Sequence, residues 1–157
     1  MKRKLFFPAV SKTFNFFLLI FFVLLFLVNF NLNAHHLKIE IRGYDPLKND
    51  GHLVILGYEF KELFKSEENF LFRYQVPINS FNGNIHLIGV EDKNVGILVF
   101  QDTDQNLNIS RDFQGTIIEK YGFSLNPKKE FIQVEYEDVV FNMNSIEEDK
   151  PLIININ

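Results

Sequence analysis

Apolar and polar residues alternate singly at the start of the globular part of the chain. Leu37, Ile39 and Ile41 face one way and Lys38, Glu40 and Arg42 the other, which predicts a half-buried strand stopped by Gly43. Residues 44–51 are rich in turn formers, with Asp45-Pro46 and Asn49-Asp50-Gly51. Residues 52–60 read as a second strand. Residues 61–69 set charges around Leu63 and Phe64 and predict a short helix or a loop. Residues 71–78 read as extended, with Phe72, Tyr74 and Val76 on one side. A turn over 80–84 leads to a strand over 85–90 and a polar link over 91–94. The alternation then breaks. Val95, Ile97 and Val99 face one side while Leu98 and Phe100 face the other, so this strand is expected to be buried on both faces. Residues 134–143 read as extended, 144–150 as an acidic turn, and 152–156 as a closing alternating strand. Seven or eight short strands without a long helix predict an all-β fold, an antiparallel β-sandwich with immunoglobulin-like proportions.

The first 34 residues follow a different pattern. Lys2, Arg3, Lys4 and Lys12 precede an unbroken apolar run over 16–28, and Leu32-Asn33-Ala34 offers a cleavage point. This is the layout of a signal peptide, leaving a single domain over 35–157. The run is short for a bilayer about 30 Å thick, so release to the periplasm or beyond is expected, with an uncleaved inner-membrane anchor as the alternative.

Charge narrows the classes. Four of the sixteen Lys and Arg lie in that segment, so residues 35–157 carry 12 basic and 20 acidic side chains, net −8. Such a surface argues against nucleic-acid binding, which rests on clustered Lys and Arg. Contact with membrane is expected only through an uncleaved N-terminal segment. The absence of Cys leaves apolar burial, with help from an ion, to hold the domain together.

The doubly apolar strand empties into oxygen-bearing residues at every second position: Asp102, Asp104, Asn106 and Asn108, followed by Ser110 and Asp112. A hard cation such as Ca2+ takes six to eight oxygens, and a curled loop aims alternate side chains at one point. The start of an EF-hand-type loop has this spacing. Leu107 stands where such a loop has its glycine, and Phe113 where it has its terminal Glu. Asx-turns use the same residue types, so an ordinary polar loop is the competing reading.

The same region carries a resemblance. Phe100 to Asn106, Gly115, the run Glu119-Lys120-Tyr121-Gly122-Phe123-Ser124 and later Tyr136 to Phe141 are similar to the exported bacterial proteins grouped as domain of unknown function 2141. The likeness begins near Leu37, and Tyr-Gly-Phe-Ser is its most distinctive element. Gln101 stands where that family usually has His, Leu107 where it has Gly, Ser110 where it has Asp, Ile117 where it has Pro and Lys120 where it has Gly. The resemblance implies a fold and an exported address, with no activity attached.

Other chemistry is thinner. Cleavage after Ala34 would make His35 the first residue, and its amine and imidazole would chelate Cu2+ with help from His36 or His86. That is the alternative function, a periplasmic copper-handling protein or oxidoreductase. A hydrolase would need Ser124 or Ser110 beside His52 or His86. Tyr121, Phe123, Phe131 and Tyr136 either present an aromatic surface to a protein, glycan or small-molecule ligand or cover a core. Together these features predict an exported, non-enzymatic binding or structural module stabilised by Ca2+ at the 102–112 loop.

Overall fold

The computed structural model describes residues 35–47, 51–90, 93–147 and 150–157. Residues 1–34, expected to be a signal peptide, Asn49 and Asp50 of the first turn, Glu91 and Asp92 of the polar link, and Glu148 and Asp149 of the acidic turn lie outside the described residues. Among those described are eight strands: β1 (His35–Arg42), β2 (His52–Tyr58), β3 (Phe72–Pro77), β4 (Asn84–Val90), β5 (Asn94–Asp102), β6 (Tyr121–Phe123), β7 (Phe141–Asn142) and β8 (Leu152–Asn155). They form an all-β fold of two sheets. One has the order β4-β1-β8, the other β3-β2-β5-β6, with β7 pairing a second part of β5. No helix among the described residues is long and apolar enough to cross a membrane.

Pairing is antiparallel with one exception. β1 runs parallel to β8, with Ile39 opposite Leu152 and Ile41 opposite Ile154. These strands come from opposite ends of the domain, so the whole chain serves as their crossover.

The two sheets meet through aliphatic side chains. Leu37, Ile39, Ile41, Leu87 and Ile154 of one pack with Leu53, Ile55, Ile97 and Val99 of the other, all but fully buried. This is the inward half of the alternation in each strand. The outward half of β2 and β5 is buried too. Val54, Leu56, Tyr58, Leu98 and Phe100 form a second cluster with Ile109, Phe123, Phe131, Val134 and Val139. The doubly apolar reading of β5 therefore holds, and loops make its second cover.

One sequence expectation changes and another holds. Residues 134–143, read as extended, hold a 3-10 turn at Tyr136–Asp138 and only the two-residue β7. Residues 61–69, read as a short helix or loop, are as expected a single 3-10 turn at Lys61–Leu63 followed by loop. The apolar spacing that suggested a strand over 134–143 instead lays Val134, Val139 and Phe141 against the sheets.

One side of the molecule is closed by the Tyr-Gly-Phe-Ser element. Tyr121 N–H donates to the Asn157 carbonyl at 3.2 Å and Asn157 N–H to the Tyr121 carbonyl at 3.1 Å, tying β6 to the chain beyond β8. That close approach requires Gly122, where a Cβ would collide with the Asn155 carbonyl oxygen. Ser124 Oγ accepts from Ile97 N–H at 2.9 Å and donates to the Val139 carbonyl at 2.6 Å.

Candidate functional site

β5 ends at Asp102, and the site is built by what β5 and β6 do there. The β5–β6 register pairs Leu98 with Phe123 and Phe100 with Tyr121. Two residues further along the same ladder, Glu119 falls beside Asp102, and Gln101 N–H donates to the Lys120 carbonyl at 2.9 Å. Both carboxylates are buried, Asp102 at 0% and Glu119 at 6% exposure. The chain from 103 to 118 then returns over them as a loop. Carboxylate oxygens of Asp102, Asp104 and Glu119 lie within 4.8 Å of one another, the one such group among the described residues.

Hydrogen bonds fix each group. Asp102 accepts from Asn106 N–H at 3.2 Å and Leu107 N–H at 2.9 Å. Glu119 accepts from Thr103 N–H at 2.7 Å and Ser110 N–H at 3.0 Å, stitching the two ends of the loop. Asp104 accepts from Ser110 Oγ at 2.7 Å and Asn106 Nδ2 at 3.0 Å. Asn106 Oδ1 accepts from Asn108 N–H at 2.7 Å. The loop curls through left-handed residues, Gln105 at φ +60° and Leu107 at φ +65°. Leu107 occupies the glycine position of the EF-hand pattern and adopts the backbone that glycine favours.

The electrostatics follow from burial. Loss of water pushes the Asp102 carboxyl up from its ordinary 3.8; the Leu107 N–H pulls it back only in part, and nearby Asp104 adds to the rise. Asp104 moves down, chiefly because the Ser110 hydroxyl stabilises its charged form. Three carboxylates held this close repel one another, which a proton on Asp102 relieves in part and a hard divalent cation would relieve as well. The donors are all oxygen, which suits Ca2+ rather than a thiolate- or imidazole-seeking metal.

Of the sequence candidates, Asp102 and Asp104 converge, with Asn106 and Ser110 bonded to Asp104. Asp112 lies outside the carboxylate group and caps its own hairpin, accepting from Gln114 and Thr116 N–H at 2.9 Å each. Asn108 is exposed. Glu119 was not among the candidates. Its signal was present in the Glu-Lys-Tyr-Gly-Phe-Ser run, where an acidic residue sits two places before a strand.

Other candidates sit elsewhere. The Ser124 hydroxyl is buried against Ile97 and Val139, Ser110 Oγ is bonded to Asp104, and the buried Nδ1 of His52 has no partner among the described residues. His36 and His86 are exposed on the β1–β4 ladder, opposite Ile88 and Lys38 respectively. Gln101, where the family resemblance led one to expect His, is buried. Its amide accepts from Asp45 N–H at 2.8 Å and donates to the Asp45 carbonyl at 3.0 Å, pinning the turn after β1. Phe123 and Phe131 are buried and Tyr121 and Tyr136 half-buried, so these four cover the outer face of the larger sheet. Beside Tyr121 an open groove of about 610 Å3 is rimmed by Asn126, Lys128, Gln133, Asn155 and Asn157.

Residues 39–150 match the family described as "Uncharacterized protein conserved in bacteria (DUF2141)", and the chain belongs to it. No curated protein and no solved structure matches the chain.

Proposed function

We propose that this member of the family is an exported, non-enzymatic binding or structural module, a β-sandwich of immunoglobulin-like proportions whose 102–112 loop is ordered by Ca2+. The observation that carries the reading is the meeting of Asp102, Asp104 and Glu119 at the end of the most deeply buried strand. A rigid strand fixes one ligand, the adjacent ladder position fixes a second, and the loop between them brings the third. The cation would complete its shell with neighbouring oxygens, Ser110 Oγ on Asp104 among them, and with water. Its effect is to hold the 103–118 loop against the sheet. The loop and the groove beside Tyr121 then offer a shaped surface to a protein, glycan or small-molecule partner.

Export rests on the N-terminal layout of basic residues, apolar run and Ala34. Sequencing the N-terminus of protein recovered from the periplasm or medium checks it; an intact Met1 in the cytosol overturns it. Thermal melts of the chain with calcium and with chelator test the ion. Calcium at a hundredfold excess over Kd adds about 2.7 kcal/mol. The Asp102→Ala/Asp104→Ala variant is expected to lose that shift. Identical midpoints for the native protein in both conditions would remove the cation from the account.

A further inference from the structure

Among the described residues, β3 and β4 are open end strands of the two sheets, whereas the other end strands, β6 and β8, are tied together through Tyr121 and Asn157. The two open edges differ in how they are guarded. β3 carries Arg73 and ends in Pro77, both common devices against edge pairing. β4, Asn-Ile-His-Leu-Ile-Gly-Val, has neither a charged residue nor a proline. Its outward side chains include Ile88, 69% exposed.

The ladder shows which backbone groups of β4 have no partner among the described residues. β4 pairs with β1 antiparallel, Ile39 opposite Ile85 and Leu37 opposite Leu87, and Ile41 N–H donates to the Gly83 carbonyl at 2.9 Å. Odd-numbered residues therefore exchange the hydrogen bonds with β1, and the N–H and C=O of the even-numbered ones point away. Asn84 N–H is taken by Asn82 Oδ1 at 3.1 Å. His86 and Ile88 remain, two residues apart, each offering a donor and an acceptor.

We propose that β4 is a self-association edge, pairing antiparallel with β4 of a second copy about a twofold axis at Leu87. His86 then exchanges both backbone hydrogen bonds with Ile88 of the second copy, and Ile88 with its His86, so the two three-stranded sheets join into one of six. Self-complementarity favours a second copy as the occupant, because a twofold pairing uses the same two free residues on both strands, and local charge does not oppose it. The paired strands bring no charged side chain together, and the flanking β1 rows put Lys38 beside His86 and His36 beside Ile88, with no like charges opposed. The offset also covers each exposed Ile88 with an imidazole instead of stacking the two His86 rings. This pairing is independent of the cation at the other sheet.

The chain has no cysteine, so single cysteines report the register cleanly. In the proposed pair the Cα atoms of residues 86 and 88 are about 5.5 Å apart, within disulfide range. Full-length His86→Cys and Ile88→Cys proteins, mixed and oxidised, are expected to give several-fold more cross-linked dimer than either alone. Tyr74→Cys on β3 serves as the other-edge control. Sedimentation is expected to show the cysteine-free chain as a dimer and Ile88→Lys as a monomer. Equal cross-linking from Tyr74→Cys, stronger cross-linking from His86→Cys alone, or an Ile88→Lys protein that still dimerises would each overturn the proposal.

Discussion

Val95, Ile97 and Val99 on the inner face of β5 are covered by strands of the opposite sheet, whereas Leu98 and Phe100 on its outer face are covered by turns and loops drawn from residues 109–139. The inner cluster is almost wholly aliphatic, and the outer one is built around aromatics. The difference has a physical cause. A strand arrives with its backbone groups paired and needs only apolar side chains facing inward. A loop arrives with unpaired N–H and C=O groups, and burying those without partners costs about 1–3 kcal/mol each. Aromatic side chains with a polar tip answer both needs. Tyr58 donates to the Ser66 carbonyl at 2.9 Å, Tyr136 to that of Glu59 at 2.8 Å, and Tyr121 Oη accepts from Phe131 N–H at 3.2 Å. Lys65 likewise reaches the Phe131 carbonyl at 2.6 Å. The carboxylate group stands at the end of this loop-built face, where polar chemistry was already required.

The contrast predicts that inner-face damage is large and indifferent to calcium. Ile97→Ala, at a fully buried position, is expected to cost about 2–5 kcal/mol in urea unfolding. The loss should be the same with calcium and with chelator. A calcium-dependent loss would mean that the two faces are not separable.

Ser124→Ala comes next, at about 1–3 kcal/mol, because it orphans the buried Ile97 N–H and Val139 carbonyl. Faster amide exchange at Ile97 than at its neighbours Val95 and Val99 would locate the effect. β6 ends at Phe123, so this hydroxyl does for Ile97 what another strand residue would do.

How much of this was readable in the sequence depends on which face is asked about. β1 and β8 follow from period-two alternation, because one-sided strand burial is what that period encodes, and β5 follows from apolar residues on both its faces. What covers the outer face was not readable. Its cover comes from loops, whose apolar positions have no fixed period, so 134–143 looked like a strand. Glu119 was missed for the same reason. Asp102, Asp104 and Asn106 announce themselves by local spacing, whereas Glu119 reaches them only through the pairing of β6 with β5, which is long-range information.

Acid titration sharpens the comparison at the carboxylates. Asp102 is raised in the folded protein, so without metal the folded state binds its proton more readily than the unfolded chain. Its contribution to stability therefore increases as pH falls from neutral toward 3.8. Asp104 is lowered, so its contribution is present above 3.8 and is lost as pH falls through its folded value. Asp102→Asn is expected to abolish the first trend and the calcium response together. Urea midpoints from neutral pH to below 4, in chelator, check it; an unchanged profile in the variant would show that Asp102 is not the group titrating.

The smallest expected effect separates backbone from side chain at Leu107. Its φ of +65° costs a non-glycine residue roughly 1–2 kcal/mol, while its side chain is half-buried. Leu107→Ala keeps the strain and loses the packing. Leu107→Gly loses the packing and releases the strain, at an entropic cost of roughly 0.5–1 kcal/mol. The glycine variant is thus expected to be more stable than the alanine variant by up to about 1 kcal/mol, the reverse of the order in a regular strand. Paired urea titrations read that difference directly. An alanine variant as stable as the glycine one would mean the loop relaxes out of its left-handed turn, and with it the curl that brings Asp104 to Asp102 and Glu119.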